Sequence, residues 1–171
     1  MVWILCNHSP TQRKIRILIV PGHEPDYGGA EFGNIKEREL VVELGRDLEQ
    51  FLKANNNYQV FITRDTQTWS PIFADYFKNN WNGIVAWEKA ARKEMSRLIS
   101  AGTTAIPAPA VRHNNIPADV AVRLYGINKW ANENNIYLVI HIHINDYWGY
   151  PANVPVKYSG FAIYLPAQQY S

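Results

Sequence analysis

Ile15-Arg16-Ile17-Leu18-Ile19-Val20-Pro21-Gly22-His23 is the stretch that decides the fold. Its aliphatic, β-branched run stops at Pro21-Gly22, the pattern of a buried strand that meets a turn. Residues 24–34 carry Pro25, Gly28, Gly29 and Gly33, and a loop is expected there. A helix is expected from about Ile35 to Ala54, ended by Asn55-Asn56-Asn57, and Tyr58 to Thr63 has the composition of a second strand. Strand, helix and strand in that order imply a right-handed crossover and a parallel sheet.

Residues 66–117 interrupt this regularity and are expected to form an insertion on the core. They open with an aromatic stretch (Trp69, Phe73, Tyr76, Phe77, Trp81), best explained as a small core under an inserted helix. That helix is expected near Ile84 to Ser100, with Ile84, Trp87, Ala91, Met95 and Leu98 along one face, and a Pro/Ala loop from Ile106 to Pro117 closes the segment. A further helix from about Ala118 to Asn132 leads into a strand from Tyr137 to Ile144, and Gly160 to Leu165 suggests one more. The expected architecture is α/β: a three-layer sandwich with a mostly parallel central sheet and a helical insertion between the second and third core strands. Residues 1–14 would be an N-terminal stub; Val2, Trp3, Ile4 and Leu5 fit the remnant of an export signal. Residues 15–171 would be a single domain whose sheet lacks a closing helix after Leu165, so it is expected to be incomplete at its C-terminus.

Composition excludes several classes. With 47% hydrophobic and 19% charged residues, the chain belongs with ordinary globular proteins rather than disordered or fibrous ones. A net charge of +2 gives no reason to expect nucleic acid. No apolar run approaches the ~20 residues of a membrane span. Cys6 is the single cysteine, so an internal disulfide and a thiolate zinc cluster are both excluded, and any transition-metal site must use His and carboxylates.

Three residues stand out as candidate ligands. His23 directly follows the first strand, at the carboxyl edge where open parallel sheets gather their ligands; capping a turn is the plainer role. On a helical projection Leu40, Val41, Leu44, Leu48, Phe51 and Leu52 all fall within roughly 60° of Glu37, whereas Glu39 points about 200° away. An acid on a buried stripe is costly unless it is paired or holds a metal. Asn34-Ile35-Lys36-Glu37 also fits a capping box, in which the Glu reaches back to the N-cap amide. His141 and His143 share one strand face opposite Ile140, Ile142 and Ile144, in a strand expected to be apolar on both faces; simple hydrogen bonding is the alternative for each. Taken together, two imidazoles and one carboxylate with an open position are the ligand set of catalytic zinc, with His143 nearer the strand's carboxyl end than His141.

These residues resemble the zinc-dependent N-acetylmuramoyl-L-alanine amidases of the cell-wall hydrolase type. Pro21-Gly22-His23, Glu37-Arg38-Glu39-Leu40, Thr63-Arg64 and His141-Ile142-His143-Ile144-Asn145 look like that family's successive motifs, with Arg123 and Ala131-Asn132 on the helix before the last. The resemblance implies Zn2+ held by His23, Glu37 and His143, with His141 and Asn145 in a second shell or lining the pocket. It implies hydrolysis of the amide between N-acetylmuramic acid and L-alanine in peptidoglycan, in the periplasm or cell wall, by a monomer. A zinc carboxypeptidase or other amidohydrolase has the same ligand chemistry, and a metal- or wall-binding module without activity is the non-enzyme alternative. The chain departs from the pattern in three places: His141 stands where Ser is usual, Glu24 where Gly is common, and residues 64–123 are longer than the family minimum. The family's catalytic Glu lies on a strand near the domain end; only Asp146 is acidic after His143, so that Glu is expected beyond Ser171, with Glu24 as the stand-in. Tyr147, Trp148 and Tyr150 follow the last motif, and packing is the expected role for them.

Overall fold

A computed structural model describes residues 14–103 and 117–144. The chain runs β1 (Ile15–Pro21), β2 (Glu31–Phe32), β3 (Ile35–Lys36), α1 (Glu37–Lys53), β4 (Tyr58–Ile62), α2 (Pro71–Ser100), α3 (Ala118–Glu133) and β5 (Leu138–Ile142). Among the described residues β4, β1 and β5 form a parallel sheet in that order, with β1 in the middle. The expected strand at 160–165, the Pro/Ala loop at 106–116, and Asn145, Asp146, Tyr147, Trp148 and Tyr150 lie outside the described residues.

β1 is buried on both faces, as its unbroken aliphatic run requires. Its odd-numbered side chains meet α1, where Gly45 lies so close that a Cβ on it would come 3.2 Å from Pro21 Cγ and 3.5 Å from Ile19 Cγ2. Its even-numbered side chains, Leu18 and Val20, join Phe73, Phe77 and Ile84 of α2 and Val122, Ile127 and Trp130 of α3 in the main core. Helix, sheet and helix pair therefore make the three layers of an α/β sandwich. No helix among the described residues is long and apolar enough to cross a membrane.

Three local expectations are corrected. First, α2 starts at Pro71 rather than near Ile84, so the aromatic stretch is the first half of one 30-residue helix. Proline at its first position needs no partner for a missing N–H. Phe73 and Phe77 are buried there, and Trp69, Tyr76 and Trp81 pack against the same core. Second, the 24–34 loop holds one strand of a small antiparallel ribbon, in which Glu31 pairs Lys36 and Phe32 pairs Ile35. The ribbon uses Ile35 and Lys36, so α1 begins only at Glu37. Third, the buried face of α1 is not centred on Glu37. Val41, Val42 and Gly45 are buried, whereas Leu44 and Phe51 are exposed. That rotates the face by roughly 90° from the expected stripe. Glu37 sits on its flank and is buried by other segments.

Candidate metal centre

The site lies over the carboxyl ends of β1 and β5. The main-chain N–H of Gly22 donates to Ile142 O at 2.9 Å, which extends the parallel ladder one residue past β1 and sets Gly22 beside His143. The chain then bends at His23, whose φ of 67° is left-handed and uncommon for a residue with a Cβ. Such strain is held only where surrounding contacts fix it, and it gathers at functional positions. Gly28 and Gly29, with φ of 88° and 85°, bring the loop back against His23 and Glu37. A Cβ on Gly28 would lie 3.2 Å from His23 Nδ1, and one on Gly29 would lie 3.1 Å from both His23 Cδ2 and Glu37 Cβ.

Glu37 is the first residue of α1, not its third, so the capping-box reading fails; the N-cap position is Lys36 and makes no side-chain cap. The carboxylate is instead tied to two remote segments. Its Oε2 accepts the N–H of Ala30 at 3.0 Å, while the N–H of Glu37 donates to Ala30 O at 2.9 Å. Its Oε1 accepts the N–H of Ile144 at 3.0 Å. The same Oε1 lies 2.8 Å from His23 Nε2 and 3.6 Å from His143 Nδ1. The two imidazoles meet edge to face, with centroids 4.9 Å apart. One candidate donor atom from each of His23, Glu37 and His143 lies within 4.8 Å of the others.

This arrangement fits a zinc ion. Tetrahedral donors at ~2.0–2.2 Å from zinc stand roughly 3.3 Å from one another, and the two N···O separations bracket that value. His23 Nε2 is buried, and among the described residues its near neighbour is Glu37 Oε1 at 2.8 Å, off the line of a regular hydrogen bond. A buried imidazole nitrogen 2.8 Å from a carboxylate oxygen makes with it a donor pair that a metal ion could share.

Burial of Glu37 acts to raise its pKa, but the N–H of Ala30, the His23 imidazole and the N–H of Ile144 outweigh it, and the carboxyl titrates below its ordinary 4.5. The folded state therefore binds this proton less readily than the unfolded chain, so Glu37 contributes stability above pH ~4.5 that is lost on acidification through its folded pKa. Urea unfolding of the metal-free protein across pH ~3–6 should show stability rising with pH, and Glu37→Gln should flatten that slope. An unchanged slope in the variant would remove Glu37 from the linkage.

Glu24 is buried and pairs with Arg123 on α3 at 2.8 Å, and Arg123 also binds Asp119 at 2.6 Å. Desolvation pushes the Glu24 pKa up against the pull of Arg123. His141 stands level with Val20 on the α2/α3 face of the sheet, exposed, and is not one of the grouped donors. Asn145 lies outside the described residues.

Sequence reasoning did not foresee the role of Arg64, which is fully buried just beyond β4. Its guanidinium donates to Pro21 O at 3.3 Å, Asp65 O at 2.9 Å, Arg38 O at 3.0 Å, and Gly22 O. Desolvation lowers its pKa to about 10, which leaves it charged at neutral pH. The available signal was an arginine immediately after a strand that packs on both faces.

Residues 17–171 match the family described as N-acetylmuramoyl-L-alanine amidase. No curated protein and no solved structure matches the chain. The match covers all the described core elements beyond the first two residues of β1, including the strand ends and the helix start that carry the three donors, and on that ground the chain belongs to the N-acetylmuramoyl-L-alanine amidase family.

Proposed function

We propose that the chain holds zinc through His23, Glu37 and His143 and hydrolyses the amide that joins N-acetylmuramic acid to the L-alanine of the peptidoglycan stem. The observation that supports this reading best is the convergence of three candidate donors, from the ends of β1 and β5 and the start of α1, within 4.8 Å of one another. Zinc, when bound, supplies Lewis acidity that activates water and polarises the amide carbonyl.

The chain's own residues prepare that chemistry. The N–H groups of Ala30 and Ile144 fix both carboxylate oxygens of Glu37 and keep the group ionised at neutral pH. The tight fit of Gly22, Gly28 and Gly29 sets the ring positions of His143 and His23. Glu24 is held by Arg123, which suits it to anchoring the ligand loop on α3 rather than to accepting the proton of the attacking water. Peptidoglycan lies outside the cytoplasmic membrane, so the proposed place of action is extracytoplasmic. In this reading residues 15–171 belong to the catalytic domain, and 66–117 are an insertion on it.

Incubation with purified peptidoglycan tests the proposal. The expected products are free stem peptides with a new L-alanine amino terminus; a chelator should stop their release and added zinc restore it. Products cut within or at the end of the peptide would replace the amidase reading with a carboxypeptidase or peptidase one. Bound zinc and bound wall with no release would favour a binding module.

A further inference from the structure

We infer that Arg64 is a positioning residue for the metal centre: its guanidinium clamps together the two backbone segments that present His23 and Glu37. The inference rests on the zinc reading above. Gly22 O belongs to the peptide unit that leads into His23, and Arg38 O lies one residue past Glu37. A single Arg64 nitrogen, Nη2, donates to both, while Nε holds Pro21 O and Nη1 holds Asp65 O in the turn after β4. The end of β1, the first turn of α1 and the end of β4 thus meet at one planar cation.

Arg64 is 1% exposed, and among the described residues its side-chain hydrogen bonds all run to main-chain carbonyls. A buried charge is a poor device for stability alone, since apolar residues of similar volume often serve as well or better. Its specific asset is shape: five N–H donors in a rigid fork reach several acceptors at once in fixed directions, which a lysine ammonium cannot do. Here the acceptors flank two ligands that come from different elements. Groups that orient ligands in this way usually change metal affinity 10–100-fold when altered.

The experiment compares zinc affinity, by competition with a chromophoric chelator, in the parent chain, Arg64→Lys and Ile84→Val. Ile84 is fully buried in the α2–α3 core, and its variant controls for general loss of stability. Arg64→Lys is expected to weaken zinc binding at least ~10-fold, with Ile84→Val at the parent affinity. A second measurement needs no substitution: in arginine-labelled parent protein, zinc should slow hydrogen exchange at the Arg64 guanidinium, because a clamp that favours the metal must be favoured by it in return. Equal zinc affinity in folded Arg64→Lys, or exchange at Arg64 that zinc does not alter, overturns the clamp while leaving the zinc centre in place. A parent chain that takes up no zinc overturns the metal reading, and this inference with it.

Discussion

Replacing His23 or His143 with Ala is expected to strip the purified chain of stoichiometric zinc, whereas Glu39→Ala keeps it. The three candidate donors converge from separate elements, so each substitution leaves two where a catalytic zinc needs three protein ligands. Changes to groups that merely orient ligands cost ~10–100-fold in affinity; loss of a ligand should exceed that. Glu39 is the informative control, because it lies two residues from Glu37 and carries the same charge. It turns outward, half-exposed, to Lys36 Nζ at 3.2 Å. Metal analysis after gel filtration reads the outcome directly. Full zinc in either His variant, or zinc lost from Glu39→Ala, would contradict the assignment.

Gly22→Ala is expected to weaken zinc binding almost as much as His143→Ala does, with little change in fold stability. A Cβ on Gly22 would lie 2.4, 2.6 and 2.7 Å from Cε1, Nδ1 and Nε2 of His143, closer than any atoms can stay. The backbone there is fixed by the bond to Ile142 O and by Arg64, so the imidazole must move. The His143 side chain is 44% exposed, so the displacement is toward solvent. The clash is thus relieved at the expense of the ligand position, and the unfolding free energy of the metal-free protein should fall by no more than ~1 kcal/mol, the low end for overpacking. Zinc titration paired with urea unfolding separates the two effects. Parent-like affinity in Gly22→Ala would show that His143 does not need its observed place beside the β1 terminus.

The sheet and the three donors were legible because their signals are local. Each of β1, β4 and β5 is a short run rich in β-branched, aliphatic or aromatic residues, and the structure places it within two residues of its expected bounds. His23, Glu37 and His143 were visible as polar residues where the pattern calls for turn or apolar ones, and the structure brings them together. Less legible was whatever depends on tertiary partners. Residues 71–83 look irregular by propensity, with Asn79, Asn80 and Asn82, yet they are helical because Phe73 and Phe77 dock on α3 and β1. Val42 lies about 140° from Glu37 on the helical projection yet is buried, while Leu44 and Phe51 face water, since the sheet and not the helix chooses the buried side. The Arg64 and Glu24–Arg123 contacts join distant stretches through no fixed spacing, so no periodicity could announce them.

β1 pairs with β4 on one side and β5 on the other, and only the second pairing delivers His143 and the N–H of Ile144 to Glu37. During synthesis the first two candidate donors leave the ribosome long before the third, and β1–α1–β4 can assemble while the β5 side of the sheet is still empty. The three candidate donors thus come together only with the most sequence-distant pairing in the described sheet, the slow kind of step in folding. Tight zinc uptake would therefore mark completion of the sheet, and a half-made chain would hold the metal too loosely to be trapped by it.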